Sequence, residues 1–237
     1  RTAIFNNNKK FIKNMRKKTL KIFNPTLDQD YHIHSLNFSD GMNTVDEIVS
    51  FAGKIGLKKI AITDHSQAMI PKPLTFYRFC KKIYKNVHNN VEVIFGVEAD
   101  LLNKEGDICA TIDGLEPDHI NLSCHLSVYK DSPETITNAF CKAIERFSKK
   151  LFCISHLHTH KTADIIDIKK IIQTANKHKV MIELNGSYLY MPIHEELAHM
   201  ICKYADMIVI NSDAHSLFQL EENRIKTLNW LKKNNYV

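Results

Sequence analysis

The sequence predicts an α/β fold of parallel strands closed into a barrel, and three observations carry the prediction. Short, continuously apolar runs of strand length recur along the 237 residues, mostly separated by segments with helical spacing. Strands of that kind suit a sheet covered on both faces, and helical connections suit parallel pairing. Six of the seven runs deliver a His, Asp or Glu at or just beyond the carboxyl end, and convergence from so many strands needs a ring. An open doubly wound sheet is the alternative, but it would gather its ligands at one switch point.

The first run ends in Asp30-Tyr31-His32-Ile33-His34. Residues i and i+2 of a strand share a face, so both imidazoles can reach one point, although two ligands alone do not make a site. After a polar loop, Thr44-Val45-Asp46-Glu47 has capping-box spacing and opens a helix with Val45, Ile48, Val49 and Ala52 on one face, ending near Gly53 to Gly56. Ile60 to Thr63 is the second strand, followed at once by Asp64-His65, and a helix is expected from Thr75 to Val87. Val91 to Val97 is the third strand and leads into Glu98; a turn is expected at Asn103 to Gly106. Ile120 to Cys124 ends at His125, a helix runs from Pro133 to Ser148, and Phe152 to Ser155 ends at His156. Helical spacing over Ile165 to Lys177 precedes the strand Val180 to Leu184, which closes at Asn185-Gly186. A helix over Ile193 to Tyr204, the strand Met207 to Ile210 ending at Asp213-Ala214-His215, and an amphipathic helix over Leu217 to Leu231 complete the pattern.

Composition narrows the class. The length suits one domain, placed at residues 28–237, behind a basic leader at 1–27. That leader holds eight Lys or Arg and no acid, which leaves 24 basic against 26 acidic residues in a near-neutral body. A solvated tail is favoured over a weak contact with an anionic surface, and nothing in the body demands a nucleic-acid partner. The leader lacks the apolar centre of a secretory signal and no 18-residue apolar stretch follows, so the expectation is a soluble protein with no membrane partner. Six scattered cysteines without a Cys-x-x-Cys pair fit a reducing cytoplasm.

The strand-end donors are His32, His34, Asp40, Asp64, His65, Glu98, His125, His156, Asp213 and His215. Imidazole and carboxylate together suit zinc, manganese or iron, and they are too many for one tetrahedral ion. A carboxylate such as Glu98 can bridge two ions, and ions about 3.5 to 4 Å apart can bind one phosphate and activate one water, with a pKa brought toward roughly 7. Other histidines carry less. His194 and His199 lie five apart, off a shared helical face and unlike a zincin pair, while His88, His119 and His178 lack strand-end context. No Gly-rich phosphate loop is present.

Six stations, His32-Ile33-His34 with Ser39-Asp40-Gly41, Thr63-Asp64-His65, Gly96-Val97-Glu98, Ser123-Cys124-His125, Ile154-Ser155-His156 and Ser212-Asp213-Ala214-His215, occur in order. Together they resemble the polymerase and histidinol phosphatase (PHP) family of metal-dependent phosphoesterases, and its small stand-alone phosphatase-like members above all. The resemblance implies a distorted, TIM-like (β/α)7 barrel with three divalent transition metal ions. One ion would take His32, His34, Glu98 and Asp213, a second Glu98, His125 and His156, and a third Asp40, His65 and His215. It makes Glu98, Asp213 and His215 the residues expected to carry catalysis, and Asp64 an orienting carboxylate behind the ligands. Where relatives often have Pro-Gly, this chain has Leu157-His158-Thr159-His160, whose extra imidazoles either touch substrate phosphate or belong to a solvated loop. The expected activity is hydrolysis of a small phosphomonoester, histidinol phosphate among the options, by a hydroxide held between metals. A phosphodiesterase or exonuclease would need a basic groove with stacking aromatics, and the nearby loops offer only scattered groups such as Lys72, Lys130 and Lys161. A non-catalytic metal-binding regulator is the third option, against which the intact stations weigh.

Overall fold

In the computed structural model the residues described are 20–70, 77–158, 166–187 and 192–237. Ten strands occur among them: β1 Lys21–Ile22, β2 Gln29–Ile33, β3 Lys59–Ile62, β4 Glu92–Phe95, β5 Val97–Leu101, β6 Ile108–Cys109, β7 Ile120–Ser123, β8 Leu151–Ile154, β9 Met181–Asn185 and β10 Met207–Asn211. Six helices accompany them: α1 Val45–Lys54, α2 Tyr77–Ile83, α3 Pro133–Phe147, α4 Ile168–His178, α5 Pro192–Tyr204 and α6 Leu217–Lys233. The capping box forms as its spacing predicts, with the Thr44 side chain on the Glu47 N–H and the Glu47 side chain returning to Thr44.

One sheet runs β1-β10-β9-β8-β7-β5-β6 and a second runs β2-β3-β4, and every pairing is parallel except β5 with β6. The two sheets meet at both edges. Parallel bridges join Ile33 to Ala214 and His65 to Glu98, and the chain itself passes from β4 to β5 through Gly96. Seven parallel segments therefore follow one another round a ring. At Gly96 the chain leaves β3 and takes up β7: Gly96 N–H donates to Ile62 O and Val97 N–H to His119 O, each at 2.8 Å. A Cβ on Gly96 would lie 2.8 Å from the His119 carbonyl oxygen, so the close approach requires glycine.

The seam between β2 and β10 is held largely by side chains. Asn24 extends the β1 ladder, donating to Ile210 O at 2.6 Å and accepting from Ile210 N–H at 2.9 Å. Asn211 Oδ1 accepts from Tyr31 N–H at 3.0 Å, and Asp30 Oδ1 from Ser212 N–H at 3.2 Å. Opposite this seam, Asp30 pairs with Ile60 and Ile33 with Ile62, so β2 carries one extra residue as a bulge. The Ile33 N–H freed by the bulge donates to Thr63 Oγ1 at 3.1 Å.

Alternate residues of the strands separate into two apolar clusters, as a period of two requires. Ile60, Ile62, Ile154, Ile182, Ile208 and Ile210 pack with helix residues such as Ile48, Val49, Ile144 and Ile171 in the main core. Each such side chain fully buried contributes about 1.5 to 3 kcal/mol. Tyr31, Ala61, Cys153, Met181 and Val209 form a second, small cluster inside the ring, and two positions beyond the last four stand the polar Thr63, Ser155, Glu183 and Asn211. None of the described helices is long and apolar enough to cross a membrane.

Three expectations need correction. The leader does not extend to residue 27: Leu20 is buried, Lys21–Ile22 pairs with β10, and Asn24 is bonded into the seam, because apolar residues between the lysines find a free strand edge. The segment 91–97 is two strands rather than one, and Glu98 lies inside β5 rather than beyond it, because Gly96 breaks the ladder. Helix α2 ends at Ile83, short of Val87, where Asn86 turns the chain by accepting from the His88 and Asn89 N–H groups.

Candidate metal centre

The inner face at the carboxyl ends of the strands is lined by imidazoles and carboxylates. From β2 and the residue just past its end come His32 and His34, with Nε2 atoms 3.1 Å apart. Glu98 Oε2 lies 3.6 Å from each of these nitrogens, and Asp213 Oδ1, just past β10, lies 3.5 Å from His32 Nε2 and 3.4 Å from His34 Nε2. Four ligands about 2.0 to 2.1 Å from a tetrahedral zinc would stand about 3.3 to 3.4 Å from one another, close to these spacings. The other Glu98 oxygen, Oε1, faces His156 Nε2 at 2.5 Å and His125 Nε2 at 3.7 Å. On the outer side, Asp40 Oδ1 lies 3.5 Å from His65 Nε2, 3.4 Å from His215 Nε2 and 3.8 Å from His34 Nδ1. Seven of these side chains fall into three overlapping groups with metal-ligand spacing, His34-Asp40-His65-His215, His32-His34-Glu98 and His65-Glu98-His125, while His156 and Asp213 adjoin them through the contacts to Glu98, His32 and His34.

Two orphaned atoms test whether this donor set fits metal. Glu98 Oε2 and His65 Nδ1 are buried and face each other at 2.9 Å as an ion pair, yet neither is in a well-formed hydrogen bond. A buried polar atom left unpaired costs about 1 to 3 kcal/mol, more for a charged one, and a cation between such lone pairs removes that penalty. The backbone is strained at two other residues of the cluster, with φ of 30° at His156 and 50° at Asp213. Non-glycine residues in that region cost on the order of 1 to 3 kcal/mol and cluster at functional sites.

Carboxylates and imidazoles in the cluster favour each other's charged forms. Burial opposes ionisation of Glu98, but His125, His156, His65 and His32 outweigh it and hold the carboxyl well below its usual range. Asp213 is held low against burial by His32, His34 and His156, and Asp40 against its partial burial by hydrogen bonds from His215 and His65. His65 is pushed up to about 11, burial being outweighed by Glu98 and Asp40. His34 is pushed down to about 3 by burial and by the neighbouring His65 and His215.

Behind the candidate ligands stand two carboxylates that the sequence pattern gives no role, Glu183 standing out there only as part of the Glu183-Leu184-Asn185 segment. Glu183, in the middle of β9, accepts from His32 Nδ1 at 2.7 Å, and Asp100, in β5, accepts from His125 Nδ1 at 2.6 Å and from Ser66 Oγ at 2.6 Å. Both are buried acids within apolar strands, and the available signal was the period of two: Asp100 follows Glu98 by two residues on the same face. Asp64 lies behind the site but orients the chain rather than a ring. It accepts from Ser35 N–H at 2.6 Å and Ser35 Oγ at 2.8 Å, and burial pushes its carboxyl up to about 7. His158 is buried, its Nε2 3.2 Å from Asn185 O, so it is not part of a solvated loop; His160 lies outside the described residues. His199 bonds Tyr236 Oη at 2.8 Å, His119 bonds Asn121 Oδ1 at 2.9 Å, and His88 lies 3.4 Å from Asp46, all apart from the centre.

A ring of parallel strands with a histidine and carboxylate cluster at the strand ends, sharing one central glutamate, defines a multi-ligand metal-site barrel. The chain belongs to the PHP domain family, whose sequence pattern it matches over residues 30–208. It is 30% identical over 199 residues to a protein of Shewanella piezotolerans named Probable phosphatase, covering 81% of this chain and 79% of that one. To Probable phosphatase YcdX of Escherichia coli it is 27% identical over 206 residues, covering 81% and 80%. Among solved structures it resembles the histidinol phosphate phosphatase of Lactococcus lactis, crystallised with zinc, L-histidinol and phosphate, with a TM-score of 0.51 and 14% identity over 86% of this chain and 92% of that one. At that identity the likeness concerns the fold.

Proposed function

We propose that the protein is a metal-dependent phosphatase that hydrolyses small phosphomonoesters at a centre of three divalent transition metal ions. The observation that carries the reading is Glu98, a fully buried carboxylate with Oε1 facing His125 and His156 and Oε2 facing His32, His34 and His65. His32, His34, Glu98 and Asp213 would hold one ion, Glu98, His125 and His156 a second, and Asp40, His65 and His215 a third. Bound there, zinc, manganese or iron supplies Lewis-acid polarisation of the phosphate and a water made acidic enough to ionise near neutral pH. The chain's own part is to orient and to neutralise. Glu98 and Asp213 bring negative charge into a buried site, and Asp100 fixes the proton of His125 on Nδ1, leaving Nε2 directed at Glu98. Side-chain exposure falls from 52% at Asp40 and 33% at His215 to zero at His32 and His34, so substrate would approach from the Asp40 and His215 side. The relatives named as phosphatases, and the neighbour crystallised with histidinol and phosphate, support a small phosphorylated substrate. Six unpaired cysteines support a reducing cytoplasmic location.

The test is the activity of protein loaded with zinc, manganese or iron across phosphomonoesters that include histidinol phosphate, phosphodiesters and single-stranded oligonucleotides. Turnover confined to monoesters, with more than one metal ion per chain by elemental analysis, is the expected result. Preference for oligonucleotides, or a stoichiometry of one or less after metal addition, would overturn it.

A further inference from the structure

We infer that Glu183 is a positioning residue that fixes the proton of His32 on Nδ1 and holds the backbone of His156, so that one buried side chain sets ligands of two neighbouring metal ions. The inference rests on the metal-centre reading above and goes beyond it in assigning a residue that is not itself a ligand.

Glu183 is fully buried and meets four donors. Oε2 accepts from His32 Nδ1 at 2.7 Å and Asn211 Nδ2 at 2.9 Å, while Oε1 accepts from His156 N–H at 3.1 Å and Asn185 Nδ2 at 3.0 Å. The two amides cannot turn round. Asn211 Oδ1 is committed to Tyr31 N–H at 3.0 Å and Asn185 Oδ1 to Ser187 N–H at 3.2 Å, so each presents its NH2 to Glu183. A carboxylate that meets only donors accepts from all of them, and His32 therefore carries its proton on Nδ1. Ser155 Oγ, at 3.4 Å from the same nitrogen, is a more distant competitor. The lone pair is left on Nε2, the atom that lies 3.1 Å from His34 Nε2 and 3.5 Å from Asp213 Oδ1. Glu183 also bonds the backbone of His156, whose φ of 30° would otherwise relax and move its imidazole off Glu98. An amide in place of the carboxylate fails in either orientation, since its NH2 would face the donors of His32 and Asn211 or those of His156 and Asn185.

The experiment uses the full chain with zinc as the probe. Affinity is measured by chelator competition for wild type, Glu183→Gln and Ile144→Ala, the last a core variant in α3 away from the site that controls for destabilisation alone. Long-range 1H–15N spectra of the zinc-loaded wild type report which His32 nitrogen holds the proton. Expected are a proton on Nδ1, a zinc affinity 10- to 100-fold weaker in Glu183→Gln, and an unchanged affinity in Ile144→Ala. A proton on Nε2, or affinity within twofold of wild type in Glu183→Gln, would overturn the inference. Should that variant fail to fold, the wild-type tautomer decides alone. Wild type that binds no zinc removes the metal-centre reading and this inference with it, whereas zinc binding untouched by Glu183→Gln removes only the inference.

Discussion

On the floor of the barrel His119 stacks on Tyr31, ring centroids 5.5 Å apart, and its Nε2 bonds Asn121. At the mouth His34 is buried at least as deeply, but its Nε2 faces His32, Glu98 and Asp213. Burial pushes both imidazoles down, to about 4 for His119 and about 3 for His34. Depth therefore does not distinguish a candidate ligand from a packing histidine. The company does: an amide completes the neutral ring on the floor, whereas at the mouth the imidazole faces the carboxylates of Glu98 and Asp213.

The comparison breaks most sharply at Glu98. Glu98→Gln keeps the shape and removes the charge shared by the clustered imidazoles, so it should release bound metal and lower turnover by several orders of magnitude, roughly 4 kcal/mol or more of barrier stabilisation. Elemental analysis beside kcat/KM on a phosphomonoester reads both, and near-normal values would place the chemistry elsewhere. The floor should respond to acid instead. With its pKa depressed in the fold, His119 stays neutral where the unfolded chain takes up a proton, so its contribution is fully present above about pH 6.5 and is lost as pH falls toward 4. His119→Phe should flatten the pH dependence of unfolding free energy by about 2 kcal/mol between pH 7 and 5 and leave metal content unchanged. Equal acid lability in the two proteins would show that His119 does not separate the regions in this way.

Smaller effects sharpen the boundary of the mouth. Asp40 is half-exposed, and solvent screening limits what its charge contributes. Asp40→Asn should lower turnover about tenfold, about 1.4 kcal/mol, with loss of at most one ion per chain; loss of all metal would make Asp40 as central as Glu98. His88→Ala, at a surface histidine near Asp46, should change neither metal content nor turnover measurably, and a clear loss there would contradict the confinement of the site to the strand ends.

What the sequence makes legible is what local periodicity governs. The His32-x-His34 pair, the capping box at Thr44 and the strand ends at His125, His156 and Asp213 follow from spacing, and the histidines and Asp213 gather around Glu98. Glu183 and Asp100 are harder to see because an acid inside an apolar strand looks like an interruption until its cross-barrel partner is known. The division at Gly96 and the docking of residues 20–24 depend on strands far away in the chain, which no window of a dozen residues contains.

The seam between β2 and β10 has a consequence in time. Asn24 reaches Ile210 across 186 residues of sequence, and Tyr31 reaches Asn211 across 180. During synthesis from the amino end, His32 and His34 emerge long before Asp213, so a growing chain displays the imidazole pair without the carboxylate that faces it. Ring closure waits for β10, and such long-range pairing is slow compared with the formation of the helices in between. On the proposed assignment, a metal ion that arrived early would meet a partial set of donors held by little structure, and the complete first cluster exists only once the two ends of the barrel have found each other.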